Sequence, residues 1–180
     1  MKHHRPVTNP PLLGFELFPA EPDRTAEIAG IWYSGWADGH LGHVPEELVN
    51  HRQEESFLQR AVARIPDTTV AIDNATGAVA GFVMVRADEV EQLYVDARCR
   101  GTEVAPRLLA HAEQKIAVNH TSSWLAVVAG NARARRFYER CGWSDHSSLD
   151  HVAEIAGDTM IVPSRRYKKS LSTRCWKATK

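Results

Sequence analysis

Apolar residues along this chain change their spacing several times, and each change marks an element. Leu12 to Phe18 is a mostly apolar run behind Asn9-Pro10-Pro11 and reads as a first strand. Ile28, Ile31, Trp32 and Trp36 then recur at helical spacing, which predicts an amphipathic helix over 22–37. Asp38 to His43 reads as a loop. A second helix is expected from near Pro45, a good first-turn residue, with the stripe Leu58, Ala61, Val62 and Ile65. Pro66-Asp67 ends it, and strands follow: Thr69 to Ile72, the turn 74–77, then Ala78 to Arg86. The last of these is apolar on both faces, as a strand covered on both sides must be. Val90 to Val95 is another strand.

Val104, Leu108, Ala112 and Ile116 repeat every four residues and predict a long helix over 102–119. Pro106 must sit in its first turn, because deeper in the helix it costs about 3 kcal/mol. Trp124 to Val128 is a strand; Ala134, Phe137, Tyr138 and Cys141 mark the face of a short helix that Gly142 stops. Met160 to Leu171 closes the chain as a strand. The order predicts an α/β unit with one mixed central sheet flanked by helices. Residues 1–11 read as a flexible segment, 12–172 as one domain and 173–180 as a basic tail.

Composition narrows the class only a little. Apolar residues make up 43% and charged residues 24%, and Lys plus Arg equals Asp plus Glu at 22 each, so no global charge draws the chain to nucleic acid or acidic membranes. Cys99, Cys141 and Cys175 form no CxxC pair, and no run approaches the length of a membrane helix. Reduced thiols in the cytoplasm, with no membrane or nucleic-acid partner, are the expectation. His40-x-x-His43 has no Cys or carboxylate partner at ligand spacing, so no metal is expected.

Two segments carry more. The first is Val90-Glu91-Gln92-Leu93-Tyr94-Val95-Asp96, then Arg98-Cys99-Arg100-Gly101-Thr102-Glu103-Val104-Ala105 and the long helix. The second is Gly130-Asn131-Ala132-Arg133-Ala134-Arg135-Arg136-Phe137-Tyr138-Glu139-Arg140-Cys141-Gly142-Trp143, following a strand. In this order they resemble the GNAT superfamily of acetyl-CoA-dependent N-acetyltransferases, with its [Q/R]-x-x-G-x-[G/A] loop and its N-x-x-A-x-x-F-Y-x-x-x-G-[F/W] element. The resemblance implies the GNAT fold, splayed at the acyl-CoA site. It also implies acetyl transfer from acetyl-CoA, as cosubstrate, to a primary amine of a small molecule, antibiotic or peptide, by direct attack in a ternary complex. A monomer or a homodimer fits equally.

A strand that turns into a helix presents unpaired amides and the positive end of a dipole to a pyrophosphate. Gly101 lets the backbone come close, and Arg98 and Arg100 can add charge-assisted contacts. The resemblance implies that the amides from Arg100 through Gly101, Thr102, Glu103, Val104 and Ala105 hold the pyrophosphate. It further implies that a main-chain N–H of Leu93, Tyr94 or Val95 polarises the thioester, freed by a bulge and a splayed strand pair. Phe137 joins the cofactor contacts. Glu103 departs from the pattern, which has Gly or Ala there, and its carboxylate predicts weaker cofactor binding.

Several residues have two readings. Tyr138 is the candidate acid for the departing thiolate, or part of the apolar face beside Phe137. Glu91 is the candidate base, expected on the same side of its strand as Leu93, or a solvent-facing carboxylate. Asn131 contacts the pantetheine arm, caps its helix, or does both. His40 and His43 are weaker candidates on the substrate side. Trp32 and Trp36 are accounted for by the core, whereas Tyr33 can reach an acceptor. Two rival functions stand beside catalysis: a non-catalytic acyl-CoA-binding regulatory module, and a protein- or RNA-contacting module using the basic tail.

Overall fold

The structure is a computed structural model that describes residues 14–155 and 158–171. The expected N-terminal segment, Leu12, Cys175, Trp176 and the basic tail lie outside the described residues. β1 (Phe15–Pro19) is followed by α1 (Thr25–His40), α2 (Glu46–His51) and α3 (Glu54–Arg64). Then come β2 (Thr68–Asp73), β3 (Val79–Arg86), β4 (Glu89–Val95), α4 (Val104–Ala117), β5 (Ser122–Val128), α5 (Ala132–Arg140), β6 (Ser144–Ile155) and β7 (Asp158–Ser170). All seven strands form one sheet in the order β1-β2-β3-β4-β5-β7-β6. Every neighbouring pair is antiparallel except β4 and β5.

Helices cover both faces, and each face has its own core. On one, Ile28, Trp32 and Trp36 of α1 and Phe57 of α3 pack against Phe82 and Met84 of β3. On the other, Leu108, Leu109 and Ile116 of α4 pack against Val83, Val85, Leu125 and Tyr167. Burial on both sides is why β3 is apolar at every position from Val79 to Val85 except for Gly81. No helix among the described residues is long and apolar enough to cross a membrane.

Two expectations are corrected, and one strand falls where none was expected. The loop expected from Asp38 is still helix as far as His40, because buried Gly39 lets α1 run close against Asn131, where a Cβ would stand 2.8 Å from Nδ2. Nδ1–H of His40 also donates to the Trp36 carbonyl at 2.9 Å, and the two rings stack. The single helix expected after Pro45 is two, interrupted where Gln53 turns extended and the acidic pair Glu54 and Glu55 starts α3. β6 has no counterpart in the apolar pattern. It is the outermost strand, and its first half, Ser-Asp-His-Ser-Ser, presents no apolar alternation to read.

Candidate active site

The site forms where β4 and β5 part. Among the described residues these parallel strands register only at Glu89 and Trp124. Asp88 ties that point together: its carbonyl accepts from the Trp124 amide at 3.1 Å and the Ser123 hydroxyl at 2.9 Å, and its carboxylate from the indole of Trp124 at 3.3 Å. Beyond it the strands separate into a slit through the sheet.

The slit has free donors because of how β4 pairs with β3. Asp96 donates its N–H to Ala80 at 2.9 Å, and strand amides alternate in direction. Tyr94 and Gln92 therefore also point their amides at β3, while Leu93 and Val95 aim theirs into the slit. Next to them the register slips: Met84 pairs with Gln92 and Val85 with Val90, leaving Glu91 as the extra residue of a bulge. The bulge reverses the expected placement of Glu91. Leu93 packs toward the α4 core, whereas Glu91 accepts from the Arg64 guanidinium of α3 at 2.8 Å, on the opposite face. Its second oxygen, Oε2, is buried without a partner among the described residues.

Beside it stands a residue the sequence reading passed over. Burial, and next the Glu91 charge, push the Glu89 carboxyl up to about 7. Strand periodicity alone gives no signal for it, since its environment depends on the bulge. His40 and His151 are also near this face, and burial lowers both imidazoles, His40 to about 4. A base that weak holds no proton at neutral pH. His43 lies against Gly130, leaving no room there for a Cβ, so the end of α1 and its following turn touch the β5–α5 connection at two points.

Across the slit, α5 places Tyr138. Its ring meets Phe137 at 5.1 Å, Trp143 at 6.2 Å and Tyr167 at 6.3 Å, so it does belong to the apolar face. Its hydroxyl nonetheless makes no hydrogen bond among the described residues. Burial raises this phenol, and the Tyr94 phenol raises it further, so it is fully protonated at neutral pH. Tyr94 itself packs on the other core, against Gly35 of α1, where there is no room for a Cβ, and its phenol is likewise raised by burial. Asn131 caps α5, its Oδ1 accepting from the Ala134 amide at 3.0 Å.

The turn between β4 and α4 is shaped by Gly101, which adopts φ +77, a conformation that costs other residues strain. The amides of Gly101, Thr102, Glu103 and Ala105 have no hydrogen-bond partner among the described residues, and they open toward the N-terminus of α4. The Val104 amide is different: it leans on Thr102 Oγ1 at 3.4 Å, and the Val104 side chain is in the core. Glu103 stands at the N-cap without a capping bond and is exposed. Both arginines of the turn already have partners, Arg98 with Asp96 at 2.9 Å and Arg100 with Asp38 at the end of α1. A cavity of about 110 Å³ lies beside this turn, lined by Gly30, Ile31, Ser34, Val95, Asp96 and Ala97. A larger one of about 420 Å³, between β1, β2 and α4, contains none of these residues.

Unpartnered amides at a strand-to-helix turn, amides aimed into a slit, and a protonated phenol and a carboxylate on its two sides are compatible with acyl transfer from a phosphate-bearing thioester. Residues 20–143 match the model of the Acetyltransferase (GNAT) family. The chain belongs to this family. Solved structures that resemble it include a GCN5-related N-acetyltransferase from Rhodopseudomonas palustris, 20% identical, covering 94% of this chain and 100% of the other at a TM-score of 0.67. The PaiA N-acetyltransferase of Thermoplasma acidophilum, in complex with coenzyme A, is 16% identical over 87% of this chain and 99% of the other, with a TM-score of 0.64. An N-acetyltransferase from Staphylococcus aureus Mu50 is 15% identical over 88% and 99%, at 0.65. These likenesses establish the GNAT fold, a mixed seven-stranded sheet between helices. No curated protein sequence matches the chain.

Proposed function

We propose that this chain transfers the acetyl group of acetyl-CoA to a primary amine by direct attack in a ternary complex. The observation that carries the reading is the slit between β4 and β5, which connects the two faces of the sheet and has a different proton-handling group on each. Acetyl-CoA enters from the face of α4 and α5, with its pyrophosphate on the amides of Gly101, Thr102, Glu103 and Ala105. Arg98 and Arg100 supply charge near it, Asn131 reaches the pantetheine arm while capping α5, and Phe137 adds apolar contact. The thioester lies in the slit, its carbonyl oxygen accepting from the amide of Leu93 or Val95.

The amine arrives from the face of α1 and α3. Glu91, with Glu89 beside it, takes the ammonium proton, and the freed nitrogen attacks the carbonyl carbon. A C–N bond forms, the C–S bond breaks, the leaving thiolate receives the proton of Tyr138, and the second proton shed by the nitrogen passes to water, which returns one to the phenolate. Direct attack is favoured over an acyl-enzyme because burial raises the thiols of both Cys99 and Cys141, the opposite of what an activated nucleophile needs.

One observation favours a second reading. Glu103 places a carboxylate at the cradle, and Arg98 and Arg100 are both engaged with carboxylates. A cradle so biased suits a module that binds acyl-CoA weakly without turning it over. Thiol release across a panel of amines separates the two. Release that depends on amine supports the enzyme; thermal stabilisation by acetyl-CoA with no release from any amine supports the binder.

A further inference from the structure

The face of the slit that would receive the amine holds two charged side chains with buried atoms that find no partner among the described residues, Oε2 of Glu91 and Nε of Arg166. Buried polar atoms normally find partners, so an orphan in a charged group calls for one, be it water, an ion or a ligand. Arg166 is on β7, paired with Ala126 of β5, and its guanidinium stacks 4.6 Å from the centre of the Trp124 ring. It makes no ion pair among the described residues. Arg166 also pulls on Glu89, but burial and the Glu91 charge outweigh it and hold that carboxyl near 7, so it is only about half ionised at neutral pH. Of the neighbouring cations, Arg64 holds Glu91 and Arg60 lies over Trp32, while Arg86 acts on Glu89.

The three strands set the geometry. Glu89 registers with Trp124; two residues further on stand Glu91 and Ala126, and Ala126 registers with Arg166. Glu91 and Arg166 thus stand on strands two apart, and because β4 and β5 have already parted here their backbones lie farther apart than two regular strand spacings, about 10 Å. Only the methyl group of Ala126 lies between them, and it is half-exposed although its strand is central in the sheet. The carboxylate of Glu91 and the guanidinium of Arg166 thus belong to the same face of the sheet, on either side of the slit, with Ala126 on the strand between them.

We infer that the acceptor is an amine that also carries an oxyanionic group, its nitrogen at Glu91 and its anion at Arg166, with Trp124 holding the guanidinium in place. The inference rests on the acetyl-transfer reading and narrows its substrate class to zwitterionic amines. A planar, stacked guanidinium suits a carboxylate or phosphonate better than a neutral ester.

The test is thiol release from acetyl-CoA with the ω-amino acids from glycine to 6-aminohexanoate, each against its methyl ester, with aminoalkylphosphonates of matching length as a second arm. At one or more lengths the acid is expected to exceed its ester at least about tenfold in kcat/KM, through KM. Better phosphonates than carboxylates would fix which oxyanion is preferred and support the inference equally. Arg166→Gln should lower the acid-to-ester ratio of kcat/KM at least about tenfold, with thermal stabilisation by acetyl-CoA as the check that the variant is folded; Arg166→Lys should restore part of the ratio. Esters that match or exceed acids at every length overturn the inference while transfer itself stands, as does an unchanged ratio in Arg166→Gln. Stabilisation by acetyl-CoA without thiol release from any member of either series overturns both.

Discussion

The guanidinium of Arg100, in the turn before α4, is held by the carboxylate of Asp38 in the last turn of α1. The pair joins the proposed pyrophosphate cradle to the helix that roofs the other side of the slit. Both side chains are about one-third exposed or more, so the pair adds little to stability, while it does compete with a phosphate for the same cation. Asp38→Asn is expected to tighten coenzyme A binding by up to about fivefold. Isothermal titration checks this, and Arg100→Ala should shift affinity in the opposite direction.

Glu103 offers a second test of the cradle. Its exposed carboxylate repels a polyanion, and its backbone is ordinary helical, so Glu103→Gly relieves repulsion without removing the amide. Coenzyme A should bind several-fold more tightly to the variant. Unchanged affinity would mean that the carboxylate points harmlessly into solvent.

Tyr138→Phe removes only a hydroxyl that bonds to nothing among the described residues. Its ring contacts with Phe137, Trp143 and Tyr167 remain, so the melting temperature should hardly move. Turnover should fall about a hundredfold or more while the coenzyme A dissociation constant stays within a small factor. Unchanged turnover removes the acid role.

Glu89 ties activity and stability to pH. Its carboxyl sits near 7 in the folded protein and in the ordinary range, about 4.3, when unfolded. The folded state therefore binds its proton more tightly, and stability falls as pH rises through that window. Glu89→Gln carries no such charge, so its melting temperature should gain on the wild type between pH 5 and pH 8. In kinetics the same carboxyl gives kcat/KM a limb rising through about pH 7, which Glu89→Gln should remove or displace. A limb unaltered in the variant assigns it to another group.

Most of the fold was legible because long elements with a strict period carry it. α4 emerged from Val104, Leu108, Ala112 and Ile116, all buried, with Pro106 in its first turn as expected. The fully covered β3 emerged from its unbroken apolar run. What escaped depended on tertiary context. The outer strand β6 buries too little to show a period. α1 continues past Ala37 because Gly39 has a neighbour, Asn131, that lies 92 residues on in the chain. In the site, the turn around Gly101 and the aromatic pair on α5 were readable from short motifs. The face of Glu91 was not, since a one-residue bulge opposite Met84 and Val85 reverses it, and local sequence does not announce the slip. Glu89 and Arg166 stayed hidden because the fold sets their surroundings: burial and the bulged Glu91 for Glu89, and Trp124 on the neighbouring strand for Arg166.

The most direct measurement is a crystal structure of the protein with coenzyme A. The account predicts the pyrophosphate on the amides of Gly101, Thr102, Glu103 and Ala105, and the sulfur in the slit within hydrogen-bonding reach of the Tyr138 hydroxyl. A coenzyme that leaves that turn empty, or a phenol directed away from the sulfur, would contradict it.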